Sequence, residues 1–238
     1  MAPFSKCCTF ALLKLVLCLT GTTAWSQDLQ VDGNLGKGDE KLPDTDEWFE
    51  VYEIELKAGE LLEVSMVSEE IDPYLIVVPP RGDSIENDDI EGESANARVL
   101  LVASVTGTYE ILATSSNPGE SGDYRLEANR FATKPVKKTA GSLSTEDEVS
   151  WKGGEYLDRF ELVIPAGERR LVSITIAAFD AYISAHGSDG QQFRADDPAA
   201  ILLEGGEEDV TYTIVITSYE AKEVGDYVFE ILSVHEEL

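Results

Sequence analysis

An all-β fold of two tandem antiparallel β-sandwiches is what this 238-residue sequence predicts, and three observations predict it. Apolar and polar residues alternate at period two in most of the chain. The apolar runs are short and are separated by Gly, Asp, Asn and Pro, with no sustained helical period. The hexapeptide GDYRLE at 122–127 returns as GDYVFE at 225–230.

The repetition extends well beyond the hexapeptide. Gly33/Gly141, Leu35/Leu143, Tyr52/Phe160, Gly59/Gly167, Val64/Val172, Asp72/Asp180, Tyr74/Tyr182 and Asp88/Asp196 are all 108 positions apart. The offset then becomes 103 for Tyr109/Tyr212, Gly122/Gly225, Asp123/Asp226 and Tyr124/Tyr227, so the second copy is five residues shorter in one loop. A constant register broken once by a loop-sized deletion indicates a duplicated unit of roughly 100 residues, the usual size of one compact domain.

Taken in order, residues 1–26 read as a signal peptide. Lys6 and Lys14 accompany the apolar run LVLCLTGTTA, and AWS at 24–26 offers small residues for cleavage before Gln27. Export to the periplasm or beyond the cell is the expectation, and no later segment approaches the ~20 apolar residues of a membrane-spanning helix. All three cysteines, Cys7, Cys8 and Cys18, fall in that leader. The exported chain is therefore expected to be stable without disulfides and to lack thiol chemistry.

The first copy, 27–130, opens its clear strand pattern with Tyr52, Ile54 and Leu56 alternating with Glu53 and Glu55. KAGE then turns the chain, and Leu62, Val64 and Met66 follow. Gly59 suits that turn because glycine tolerates positive φ. Further strands read at 74–79, 97–103, 107–114 and 122–129. Residues 131–140 are basic and contain Pro135, so they read as an interdomain linker. The second copy, 141–238, repeats the pattern with Phe160, Leu162 and Ile164, the turn PAGE, and Val172, Ile174 and Ile176. Its later strands read at 182–186, 199–204, 210–218 and 225–234. Each copy is expected to fold alone.

Charge narrows the partners. The chain holds 46 acidic against 18 basic residues, a formal net charge of −28. Residues 28–129 contain 25 acidic and 6 basic residues, and residues 141–238 contain 21 and 6. Nucleic acid and anionic lipid need clustered Lys and Arg that neither copy has, so neither is an expected partner. Divalent cations, basic partners and simple solubility outside the cell all fit such a surface.

The ordered set G.L at 33–35, Y.I.L.AGE at 52–60, IDPYL at 71–75, NDD at 87–89, TGTYEI at 106–111 and GDYRLE at 122–127 resembles the bacterial pre-peptidase C-terminal domain family. The second copy carries weaker forms: GSL, F.L.IPAGE, FDAYI, ADD, VTYTI and GDYVFE. The resemblance implies a jelly-roll-like sandwich, generally non-catalytic, appended to exported proteins, with calcium or matrix polymers bound by some relatives. The two copies account for nearly all of the sequence after residue 26, so no peptidase domain is expected beside them. The implied role is a non-enzymatic binding or interaction module for an extracellular protein or polysaccharide, accessory to a separately encoded hydrolase or acting on a matrix. A carbohydrate-binding module and a hydrolase working through surface carboxylates are the alternatives.

The candidate chemistry is carboxylate chemistry. Asn87, Asp88, Asp89, Glu91 and Glu93 crowd one loop, a concentration of hard oxygen donors that Ca²⁺ could neutralise, with Asp72 or Asp83 able to complete it. In the second copy Asp196 and Asp197 stand at the equivalent place, with Asp180 as a further donor. A solvated loop with Asp-capped turns is the other reading. An EF-hand is excluded because Arg98 occupies its twelfth position. His186 and His235 are the only histidines, so a zinc site of several imidazoles is excluded, and neither has a recognisable nucleophile beside it. Gly122-Asp123 and Gly225-Asp226 read as turns entering the last strand of each copy, with the Asp accepting backbone N–H bonds and Tyr124, Leu126, Tyr227, Phe229 and Ile231 facing inward. Arg81-Gly82-Asp83 reads as a turn. Trp48, Trp151 and Phe193 could be core or an exposed sugar-binding platform.

Overall fold

The computed structural model describes residues 29–43, 45–88, 96–150, 153–196 and 198–236, and every helix or strand among them is a strand. The first copy contributes β1 (Leu29–Leu35), β2 (Glu40–Lys41), β3 (Trp48–Leu56), β4 (Leu61–Val67), β5 (Pro73–Val78), β6 (Ile85–Asn87), β7 (Asn96–Val102) and β8 (Gly107–Ser115). The long strand β9 (Gly122–Leu143) runs from the first copy into the second. Then follow β10 (Glu148–Val149), β11 (Tyr156–Ile164), β12 (Arg169–Ala177), β13 (Ala181–Gly187), β14 (Gln192–Ala195), β15 (Ala200–Glu204), β16 (Val210–Ser218) and β17 (Gly225–Glu236). No helix among these residues is long and apolar enough to cross a membrane.

All pairings between these strands are antiparallel, and they form three sheets. A five-stranded sheet in the order β2-β3-β8-β5-β6 belongs to the first copy, and its counterpart β10-β11-β16-β13-β14 to the second. The third sheet, β15-β12-β17-β9-β4-β7 with β1 also on β9, takes strands from both. The hairpin turns form where the glycines demand them. Gly59 has φ 90° and Gly167 φ 69°, and each is followed by an i→i+3 bond, Glu60 N to Lys57 O at 3.0 Å and Glu168 N to Pro165 O at 3.0 Å.

Alternation puts one face of the shared sheet against each five-stranded sheet. Leu62, Val64, Met66, Val99, Leu126 and Ala128 enter the first core with Ile54, Leu75, Tyr109 and Ile111. Val172, Ile201, Leu203, Phe229 and Ile231 enter the second with Ile183, Tyr212, Ile214 and Ile216. The two cores repeat one another, as the duplicated pattern requires.

A third core lies on the opposite face of the shared sheet. Leu61, Phe131, Leu171, Leu202, Leu232 and Val234 are buried together there, with Leu100, Val102 and Ala200 against them. Four of the six neighbour in sequence a residue of the other two cores: Leu61-Leu62, Leu171-Val172, Leu202-Leu203 and Ile231-Leu232. The sheet curls like half a barrel, which brings the outward faces of both copies onto each other. At the rim Arg98 donates to Glu63 Oε1 (Nε 2.9 Å, Nη2 2.5 Å). Arg169 lies 4.3 Å over the Phe131 ring and 3.7 Å from Glu236. Burying a large aliphatic side chain contributes about 1.5–3 kcal/mol, so this core holds the copies together by more than the chain connection.

Residues 131–140 differ from the linker expected there. They lie within β9 and pair with β17 from Glu236↔Phe131 to Val228↔Ala140. Pro135, which has no N–H to donate, is accommodated by a bulge: Pro135 pairs with Leu232 and Lys137 with Ile231, leaving Val136 extra and 55% exposed. β4 stops pairing with β9 at Phe131, so the other edge of residues 132–143 has no partner strand among the described residues. Lys134, Lys137, Lys138 and Pro135 are the residue types that protect such an edge from pairing with another chain. The basic composition therefore belongs to an edge strand.

Candidate functional site

The tyrosine of the repeated hexapeptide sits over a glycine. A Cβ on Gly33 would lie 2.3 Å from Cζ of Tyr124, and one on Gly141 would lie 2.3 Å from Cζ of Tyr227. Each ring can lie on the neighbouring strand because that strand has no side chain there. Each hydroxyl then reaches a carboxylate of the five-stranded sheet: Tyr124 donates to Glu50 Oε2 at 2.5 Å and Tyr227 to Asp158 Oδ2 at 2.5 Å. In the first copy Tyr52 also donates to Glu50 Oε2 at 3.0 Å, with its oxygen 2.6 Å from that of Tyr124. Burial, with the adjacent carboxylate, pushes Tyr52 up to about 12, and burial pushes Tyr124 and Tyr227 well above the usual tyrosine range. These groups are held neutral as donors, which suits sheet-to-sheet fastening.

The acidic half of the hexapeptide behaves differently from the turn expected of it. Gly122 and Gly225 are the first residues of β9 and β17. Asp123 Oδ1 accepts from Asn34 Nδ2 at 2.7 Å, and its own backbone N–H donates to Glu70 Oε2 at 2.9 Å. The expected backbone N–H acceptors are instead Asp39 and Asp147, which take Gly36 N at 2.8 Å and Ser144 N at 2.6 Å.

The candidate metal ligands separate into two places. Asp72 and Asp180 act through their backbone carbonyls, which accept from Ser116 N and Tyr219 N, each at 2.8 Å. Asn87, Asp88 and Asp196 come together on an open cleft of about 450 Å³, beside Tyr74, Glu47 and Ser116. Asp88 and Asp196 are the equivalent aspartates of the two copies. The curl of the shared sheet therefore gives one cleft a carboxylate from each. Asn87 Nδ2 donates to Arg98 O at 2.8 Å, and Tyr74 donates to Glu86 Oε2 at 2.6 Å. Asp89, Glu91 and Asp197 lie outside the described residues, as does Trp151. Among the described residues no three carboxylate or imidazole groups are already gathered as an ion would require.

Sequence reasoning missed Glu47. It is 7% exposed, and its Oε2 has no hydrogen-bond partner; the same is true of the buried hydroxyl of Ser116. Its backbone carbonyl accepts from Leu42 N at 2.9 Å, which fixes the loop before β3. Position 47, one residue before Trp48, was the available signal, since a charged residue at a strand entrance is easily read as solvated.

The other candidates are structural. Trp48 packs against the first core and Phe193 against Tyr212 at 6.0 Å, so neither forms an exposed platform. His186 pairs with Gln192 in the β13–β14 hairpin. His235 Nε2 lies 3.0 Å from Ser233 Oγ, but that hydroxyl is buried and donates to Lys134 O at 3.3 Å. Arg81-Gly82-Asp83 is an exposed loop with Gly82 at φ 102°. No family model matches the chain, and no curated protein matches it.

Proposed function

We propose that this chain is an exported, non-catalytic interaction protein built from two pre-peptidase C-terminal-like sandwiches, presenting an acidic surface to an extracellular protein or polysaccharide. One observation carries the reading. Both copies use the hexapeptide that bears the resemblance in the same structural way, a Tyr over a Gly with its hydroxyl on a carboxylate. Those tyrosines fasten one sheet to the other. The net charge of −28 favours basic or cation-bridged partners.

The test pairs binding with turnover. The full chain is titrated against insoluble polysaccharides and collagen-like fibres at low and high salt, and is assayed on ester, glycoside and peptide substrates. Saturable binding without turnover is the expected result. A hydrolytic rate that is lost in His186→Ala or His235→Ala would sink the proposal.

A further inference from the structure

We propose that the cleft between the two copies is a site for a hard divalent cation, with Glu47 as its buried anchor. Four observations converge on it. Glu47 lines the cleft while more than nine-tenths buried, and its Oε2 has no partner. A buried carboxylate oxygen without a donor costs free energy that a bound cation would offset. Ser116 brings a second buried and unpartnered oxygen to the same cleft. Asp88 and Asp196, both exposed, reach the rim from different copies.

These are the oxygen donors that calcium or magnesium takes, with water completing the shell of an ion held by few carboxylates. Among the described residues three acidic groups are not already gathered, so water supplies most of the shell of an ion held at Glu47. Such an ion ties loops of the first copy to the β14–β15 loop of the second. It would therefore fasten the interface that the third core begins.

The second copy differs at the corresponding positions. Glu47, Glu86, Asn87 and Ser116 of the first copy correspond to Glu155, Arg194, Ala195 and Tyr219. Arg194, on β14, thus puts a cation of the chain itself where the first copy has the carboxylate of Glu86. A large ring replaces the small hydroxyl.

The experiment uses the full chain with EDTA, calcium, magnesium and sodium at matched ionic strength. With free calcium about 100 times its Kd, the melting temperature is expected to rise roughly 5–10 °C above the sodium control. Glu47→Gln keeps the shape of the side chain and removes its charge. In EDTA this variant should melt no lower than the starting protein, and it should lose most of the divalent shift. Ser116→Ala and Asp88→Asn should each weaken calcium binding several-fold, with Asp226→Asn as a control that leaves it unchanged. Terbium luminescence excited through Trp48, next to Glu47, should appear with the starting protein, be competed by calcium and vanish in Glu47→Gln. Equal shifts with sodium and calcium would overturn the proposal. So would a calcium shift that survives both Glu47→Gln and Ser116→Ala.

Discussion

The two copies build the same scaffold but treat their tyrosines and their acidic clefts differently. In the first, Tyr52 and Tyr124 share Glu50. In the second, Phe160 replaces Tyr52 and stacks on Phe229 with centroids 5.2 Å apart, while Tyr227 alone holds Asp158. Other pairs are retained: Thr114 donates to Trp48 O at 2.8 Å and Thr217 to Tyr156 O at 2.7 Å. Ser115 and Ser218 donate to the carbonyls of Asn117 and Glu220. Bonds that fix strand ends are thus duplicated, and divergence falls where a polar contact can be exchanged for an apolar one without moving backbone.

The largest expected effect breaks the independence of the copies. Leu61→Ala in the first and Leu232→Ala in the second each remove a side chain from the third core, and each should cost about 2–5 kcal/mol. If that core couples the copies, either change shifts a single unfolding transition followed by tryptophan fluorescence, with Trp48 in the first copy and Trp151 in the second, and by far-ultraviolet circular dichroism. Two separated transitions, with only the mutated copy affected, would show that the copies unfold alone as the repeat suggested. Fragments 29–143 and 131–236 sharpen the same point, since each exposes half of that core and should self-associate.

Next comes the glycine under each tyrosine. Gly33→Ala and Gly141→Ala place a Cβ into an aromatic ring, and each should cost about 1–3 kcal/mol by overpacking. The two costs should be similar, and Tyr124→Leu should relieve part of the first in a double-mutant cycle measured by urea denaturation. A neutral Gly33→Ala would mean that the ring does not rest there.

A smaller effect separates the copies. Tyr52→Phe makes the first copy resemble the second and should cost about 1 kcal/mol. Because folded Tyr52 is raised to about 12 from 10.0, its contribution is complete below pH 10 and is lost as pH rises from 10 toward 12, where the unfolded tyrosine ionises first. Tyr52→Phe should therefore flatten the fall of stability over that window in alkaline denaturation. An unchanged slope would assign the alkaline sensitivity to other tyrosines.

The smallest effect on stability concerns the open edge of β9. Replacing Lys134, Lys137 and Lys138 by Thr should change the melting temperature little but raise concentration-dependent association, read by light scattering. A soluble monomeric triple variant would mean that the edge is protected by something else.

Strands and hairpins were legible because they are local. Period-two alternation locates β3, β4, β8, β13, β16 and β17 to within a few residues, and Gly59 and Gly167 mark turns through the φ they alone adopt easily. The duplication, and with it two matching cores, also follows from the sequence by itself. What alternation leaves open is the cover on the second face of a strand. The doublets Leu61-Leu62, Leu202-Leu203 and Ile231-Leu232 signal burial on both faces, but only the curl of the shared sheet decides that those outward residues meet one another. The same long-range pairing makes a strand of residues 131–140, since a basic Pro-containing segment satisfies the composition of a linker and of an edge alike. It also carries Asp196 to the cleft of Asp88 and Glu47, which no spacing in the chain relates, because that contact depends on how two folded units pack.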